Sequence, residues 1–303
     1  MAPGNDPAAV GSAVESLHRL LRCCAVAPSR RHGTQPDPFD ALASTWWDES
    51  GVLYGLGVLL APVRVPFVLG ALRTQLGAGA HRVLDLGSGG GLLGATLSEA
   101  DFTVVGLDPS LASLGAGKSH ADSMGSEMRF VGGVGERLPF ADASFDAVVA
   151  MELLEHVEDP AVVVAEAARV LGPGGVFIFS GPNRTVLNRV GLVFVAQDLL
   201  GVVPRGTHQW SRLIRPDEMD RYMRASGIEP DRVLGVGIGW RDVPAAALAV
   251  VGLLTRRLSY PEAARRIHLT TGTGTSVAYQ GFGRRSERLM TGLWRRPSSW
   301  GRP

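Results

Sequence analysis

The thirteen residues Arg82 to Gly94, RVLDLGSGGGLLG, constrain this chain more than any other stretch. A short apolar run meets five glycines within eight positions, Gly87, Gly89, Gly90, Gly91 and Gly94, and then a helical pattern takes over. This order predicts the first strand, turn and helix of a parallel α/β sheet, whose ligands lie at the carboxyl ends of the strands. Gly89, Gly91 and Gly94 also spell G-x-G-x-x-G, a spacing that lets backbone N–H groups approach a bound phosphate. The turn therefore implies a ligand without naming it.

The rest of the chain extends the pattern. After RVLDLG, the segments FTVVGLD, MRFVGG, FDAVVAM and GVFIFSG read as strands, and GLLGATLSEA, PSLASLGAGKSHA and PAVVVAEAARVL as helices. Strands separated by helices at such short range predict a doubly wound, Rossmann-like α/β core over residues 82–180, with helices on both faces. Residues 39–76 predict an N-terminal helical cap. Residues 183–280, which hold an apolar helix near 185–205, a helical insertion at 243–268 and the late strand TSVAYQGF, predict C-terminal lid insertions. Cap, core and lid make one domain over 39–285. Residues 1–38, with one amphipathic helix from Ser12 to Cys24 and a basic linker, read as an extension, and 286–303 as a tail.

Composition narrows the partners. A formal net charge of +1 and the lack of a basic block exclude the electrostatic footprint that nucleic acid demands. The two cysteines, Cys23 and Cys24, are adjacent and have no metal spacing, which fits a reducing cytoplasm. The N-terminus has no charged segment leading into an apolar one, so no signal peptide is expected. The longest apolar runs, 190–203 and 243–255, fall short of the roughly 18 residues of a membrane span.

Asp85 favours one ligand, and the order of the segments downstream, through the family they resemble, decides it. A pyrophosphate avoids an acid at the end of the first strand, whereas S-adenosylmethionine (AdoMet) carries no phosphate and presents an ammonium, a carboxylate and a sulfonium. Asp85-Leu86-Gly87-Ser88-Gly89 spells the D-x-G-x-G of AdoMet enzymes, and Asp108 ends strand two, where its carboxylate can accept from both ribose hydroxyls. Downstream, GERLPFADASFDAVVAMELLEHV (135–157) and RVLGPGGVFIFSGPN (169–183) follow at the distances seen in class I methyltransferases, which the chain resembles.

Features outside the core sharpen that resemblance. FDALASTWWDESG (39–51), PVR (62–64), MELLEHVEDP (151–160), PRGTHQWSRLIRPDEM (204–219) and VAY (277–279) stand in the order of the ubiquinone-biosynthesis 3-O-methyltransferase family. The resemblance implies AdoMet contacts at Arg64, Gly87, Asp108 and Met151, to which the residues themselves add Asp85 and Gly89. It implies a hydroxylated small-molecule acceptor, quinol- or catechol-like, and a peripheral membrane contact through 185–205. Some members of the family are credited with magnesium at the positions matching Glu152, Glu155 and His156. On a helix those three would share one face. A phenol has a pKa near 10, so a base or a metal must assist its deprotonation; His156 and His208 are the candidate bases.

The chain also departs from the family. The stretch GVLLAPVR puts Val58 and Leu59 where a His-Arg pair is usual and Ala61 where asparagine is usual. A phenol, polyketide or sugar hydroxyl therefore stands as an alternative acceptor. An NAD-linked oxidoreductase would need a Tyr-x-x-x-Lys arrangement that the single Lys118 does not supply, and a non-catalytic AdoMet-binding module would show no turnover.

Overall fold

The structure, a computed structural model, describes residues 40–189, 209–272 and 274–287. The expected Ser12–Cys24 helix, most of the 185–205 segment, His208 and most of the tail lie outside the described residues.

A 3-10 turn (Asp40–Thr45) leads into α1 (Val52–Leu76), which ends at Gly77 with φ +73° and ψ −158°, a backbone open to glycine, its N–H donating to the Arg73 carbonyl. The core follows in order: β1 (Arg82–Leu86), α2 (Leu92–Glu99), β2 (Thr103–Asp108), α3 (Leu111–Met124), β3 (Arg129–Gly132), β4 (Phe145–Met151), α4 (Pro160–Val170) and β5 (Leu171–Pro182). After the core stand α5 (Pro216–Ala225), β6 (Ile228–Ile238), α6 (Val243–Leu254), α7 (Tyr260–Arg266), β7 (Leu269–Thr271) and β8 (Ala278–Arg285). The eight strands form one sheet in the order β3-β2-β1-β4-β5-β8-β6-β7. Strands β1 to β5 are mutually parallel, and β8 is antiparallel to both β5 and β6. It follows that β6 runs with β5, so Ile238 reaches the same edge as Leu86, Asp108 and Met151.

The doubly wound prediction is met by strict alternation of side chains. Leu84, Val148, Phe177 and Phe179 point to the face that packs Val163, Val164, Met219 and Met223 of α4 and α5. Their neighbours Val83, Ala147, Val149 and Ile178 point the other way, against Val68 and Leu72 of α1 and Leu93 and Leu97 of α2. A strand with both faces buried reads as a near-continuous apolar run, and RVLDLG and FDAVVAM do so apart from Arg82, Asp85 and Asp146.

Helix α1 is long and apolar enough to cross a membrane by length and composition. It lies instead across the sheet, with Val68 and Leu72 fully buried. The insertion helices sit beside it: a Cβ on Gly55 would come within 2.6 Å of the Tyr260 ring, so α1 and α7 touch backbone to ring.

Leu84 is fully buried at the centre of the sheet. Leu84→Ala is expected to lower the unfolding free energy by about 2–5 kcal/mol in urea titration, and a loss under about 1 kcal/mol would contradict a close-packed central strand.

Candidate active site

The glycine turn is held by the end of β2. The N–H groups of Gly87 and Ser88 both donate to the Leu107 carbonyl, at 2.8 and 3.1 Å. Asp108 accepts from the Gly89 N–H at 2.9 Å on one oxygen and from the Ser110 N–H at 2.9 Å on the other. Gly89 at φ +51° and Gly91 at φ +77° occupy left-handed backbone, which other residues enter only with strain.

A pair of tryptophans roofs this turn. A Cβ on Gly89 would come within 2.2 Å of the Trp46 ring, and one on Gly90 within 2.3 Å, so only glycine lets the indole lie on the loop. Trp46 Nε1 donates to Ser113 Oγ at 3.0 Å, and Trp47 Nε1 to the Gly90 carbonyl at 2.8 Å. The Trp47 ring stacks on His120 with centroids 3.4 Å apart. Sequence reasoning took Trp-Trp-Asp as a family signature and missed this role; the tandem indoles at the head of the cap were its signal.

Four acids and one arginine gather at the strand ends. Asp85 is only 4% exposed; its carboxyl takes the Gly94 N–H, yet Oδ2 has no hydrogen-bond partner. Burial pushes Asp85 up to about 7, opposed by Arg64 and reinforced by the charge of Asp108. Arg64 lies at the midpoint of α1, and the Gln280 amide donates at 3.4 Å to the adjoining Val63 carbonyl. Its guanidinium is pulled below its usual value by burial and raised by Glu152, Asp85 and Glu155. Glu152 stands 4.0 Å from Arg64 and accepts from Ser180 Oγ at 2.6 Å. It holds φ +53°, a conformation uncommon for a residue with a side chain and concentrated at functional sites. Glu155 is buried, and that burial, followed by the charge of Glu152, raises it well above the usual carboxylate range. Met151 is buried at the end of β4.

Residues 152–156 are a turn, not a helix, so the expectation that Glu152, Glu155 and His156 share one helical face is corrected. The backbone leaves the sheet through the left-handed Glu152 and closes with the His156 N–H on the Leu153 carbonyl at 2.9 Å. Among the described residues no group of three His, Cys, Asp or Glu side chains is arranged to hold a metal ion. Burial, then the charge of Arg212, pushes His156 down to about 4, so its imidazole is neutral at neutral pH. His208 lies outside the described residues.

Residues 84–179 match the methyltransferase domain family. The chain is 36% identical over 206 residues to a ubiquinone biosynthesis O-methyltransferase of Azorhizobium caulinodans, covering 65% of this chain and 81% of the relative. It is 38% identical over 198 residues to the enzyme of the same name from Alkalilimnicola ehrlichii, covering 65% and 78%. Among solved structures, a chain of the complex between the Haloferax volcanii Trm112 methyltransferase activator and a methyltransferase aligns with TM-score 0.56 at 22% identity, over 84% of this chain and all of that one. A Pyrococcus horikoshii protein aligns with TM-score 0.54 at 18% identity over the same shares. These two likenesses show the fold.

Between about pH 4 and 7 the folded protein keeps on Asp85 a proton that the unfolded chain has released. Ionising Asp85 therefore opposes folding, and its contribution falls as pH rises through that window. Relative to Asp85→Asn, the wild-type protein is expected to lose at most about 1.4 kcal/mol of unfolding free energy per pH unit there. Parallel stability profiles for the two proteins would contradict the assignment.

Proposed function

Because the chain belongs to the ubiquinone biosynthesis O-methyltransferase family and is an AdoMet-dependent O-methyltransferase with a small-molecule acceptor, we propose that it methylates a hydroxyl on a quinol or catechol ring. The observation that carries the site assignment is the orphan Oδ2 of Asp85 beside Arg64. A buried polar atom left unpaired costs about 1–3 kcal/mol, more when charged, and a ligand donor there removes that cost. Three carboxyls stand around one guanidinium, and a cationic ligand there would favour the ionised forms of Asp85 and Glu155 that burial opposes.

The residues fit AdoMet. Asp85 takes its ammonium, Arg64 its carboxylate, the Gly87 and Gly89 backbone the methionine chain, Asp108 the ribose and Met151 the adenine. Bound there, the cofactor supplies a methyl group on a sulfonium, a good leaving group, so the protein's work is alignment and removal of one proton. His156, uncharged at neutral pH, is suited to accept a hydrogen bond from the acceptor hydroxyl. Direct capture of a phenol proton by a group of pKa about 4 is uphill by roughly 8 kcal/mol. Glu155, whose proton affinity burial raises, is the better final acceptor.

Magnesium fits these residues poorly, since Ser180 and Arg64 already engage Glu152 and the turn does not converge the three ligands. No step is assigned to a metal. The 185–205 segment, expected to contact the membrane, lies for most of its length outside the described residues, and no role is assigned to it.

Val58, Leu59 and Ala61 are half-buried on α1, within two turns of Arg64. Of these three only Ala61, three residues before Arg64, shares its side of the helix; a phenol or polyketide ring is the second reading for the acceptor.

S-adenosylhomocysteine formation with a demethylubiquinol analogue is the test. Turnover that Asp108→Ala reduces at least about tenfold through weaker AdoMet binding is expected. Turnover on glycosides instead of quinols would overturn the acceptor. Full activity in EDTA is expected as well; loss on chelation that magnesium restores would overturn the metal-free reading.

A further inference from the structure

Helix α6 is inverted relative to an ordinary surface helix. Its small residues Ala246 and Ala249 are buried, at 5% and 1% exposure, while Leu248 and Val251 stand 71% and 53% exposed. Pro244, Ala247 and Leu254 continue the exposed stripe, and no charged residue occurs from Val243 to Leu254. A surface helix of a globular protein buries its large apolar side chains and shows charge to water. This one does the reverse, so its outer face is suited to an apolar surrounding.

The ends of the helix say which surrounding. Trp240, 79% exposed, stands just before α6 with the Arg241 guanidinium 5.0 Å from its ring centroid. Exposed Arg256 and Arg257 follow the helix directly, and exposed Arg265 and Arg266 end α7. The nearby acids are engaged: Asp242 lies 3.7 Å from His268, and Glu262 accepts from Ser259 at the N-terminus of α7. A bare apolar stripe flanked by an indole and arginines complements acyl chains bordered by anionic headgroups. An apolar protein face could cover the stripe but would leave the flanking Arg241, Arg256 and Arg257 without the counter-charge that anionic headgroups supply. Twelve residues span about 18 Å, too short for a hydrocarbon core of about 30 Å, so the helix lies in the interface rather than crossing it.

We propose that α6 docks this protein on an anionic lipid bilayer, with Leu248 and Val251 among the acyl chains and Trp240, Arg241, Arg256 and Arg257 at headgroup level. Since β6 runs with β5 and delivers the chain to α6, the helix stands at the edge of the sheet where Asp85, Asp108 and Glu152 lie. Docking therefore turns that edge toward the lipid. The proposal goes beyond the acceptor assignment and does not depend on it.

Co-sedimentation of the full chain with phosphatidylglycerol-phosphatidylcholine vesicles, without cofactor or acceptor, tests it. The wild-type protein is expected to partition onto these vesicles and far less onto phosphatidylcholine alone, with binding falling as salt rises from about 0.05 to 0.5 M. Leu248→Asp with Val251→Asp is expected to reduce partition at least about tenfold, and Arg256→Glu with Arg257→Glu to remove the preference for anionic lipid. Both positions of the first variant are exposed, so its melting temperature is expected within about 2 °C of wild type. Absent binding, equal binding to both vesicle types, or unchanged binding by the Asp variant would overturn the proposal. So would a dimer in analytical ultracentrifugation that the Asp variant dissolves, since a second copy would then be the occupant.

Discussion

A carboxylate with one oxygen unpaired, buried at the end of the central strand, is an expensive thing for a fold to keep. Asp85 is in that position, and much of the molecule is arranged around it. Arg64 lowers its charge penalty, but Arg64 comes from α1, so α1 must lie across the sheet with Val68 and Leu72 in the core. Gln280 on β8 ties the same turn of α1 to the sheet. Glu152 takes a strained left-handed backbone beside Arg64, and Ser180 at the end of β5 holds it there. The geometry is one of an electrostatic cage left open to a cation.

The core was legible because both of its signals are local. Strands buried on both faces must be continuously apolar, and a tight strand-to-helix turn must be glycine, so Arg82–Gly94 identified itself. Asp85 was legible for the opposite reason: an acid in an apolar strand breaks the pattern and calls for a partner. Asp108 was likewise read from its position, although its first task proved to be bracing the Gly89 and Ser110 N–H groups.

What was not legible depends on backbone direction and long-range packing. Glu152, Glu155 and His156 have helical spacing, but a left-handed residue turns the chain away from the sheet, and although His156 Nε2 stays 3.9 Å from Glu155 Oε1, the three form no metal-holding group. Trp46 and Trp47 lie about forty residues before the loop they cover, and only the packed fold shows that Gly89 and Gly90 are bare to admit an indole. The apolar content of α6 was visible as a short run, whereas the face it turns outward is set by its packing against α7, with Ala246 and Ala249 buried. Helix α1 passed unnoticed as an apolar segment because Pro62, Arg64 and Pro66 interrupt its runs.

The cap and the insertion thus serve one edge of the sheet from two sides, the tryptophans over the glycine turn and α6 beyond β6. Catalytic geometry at that edge rests on the cage around Asp85. A crystal structure of the protein with S-adenosylhomocysteine tests it most directly. The amino group within hydrogen-bond distance of Asp85 Oδ2, with the carboxylate toward Arg64 and the ribose on Asp108, is the predicted result. A ligand seated elsewhere, with Asp85 Oδ2 still unpartnered, would contradict it.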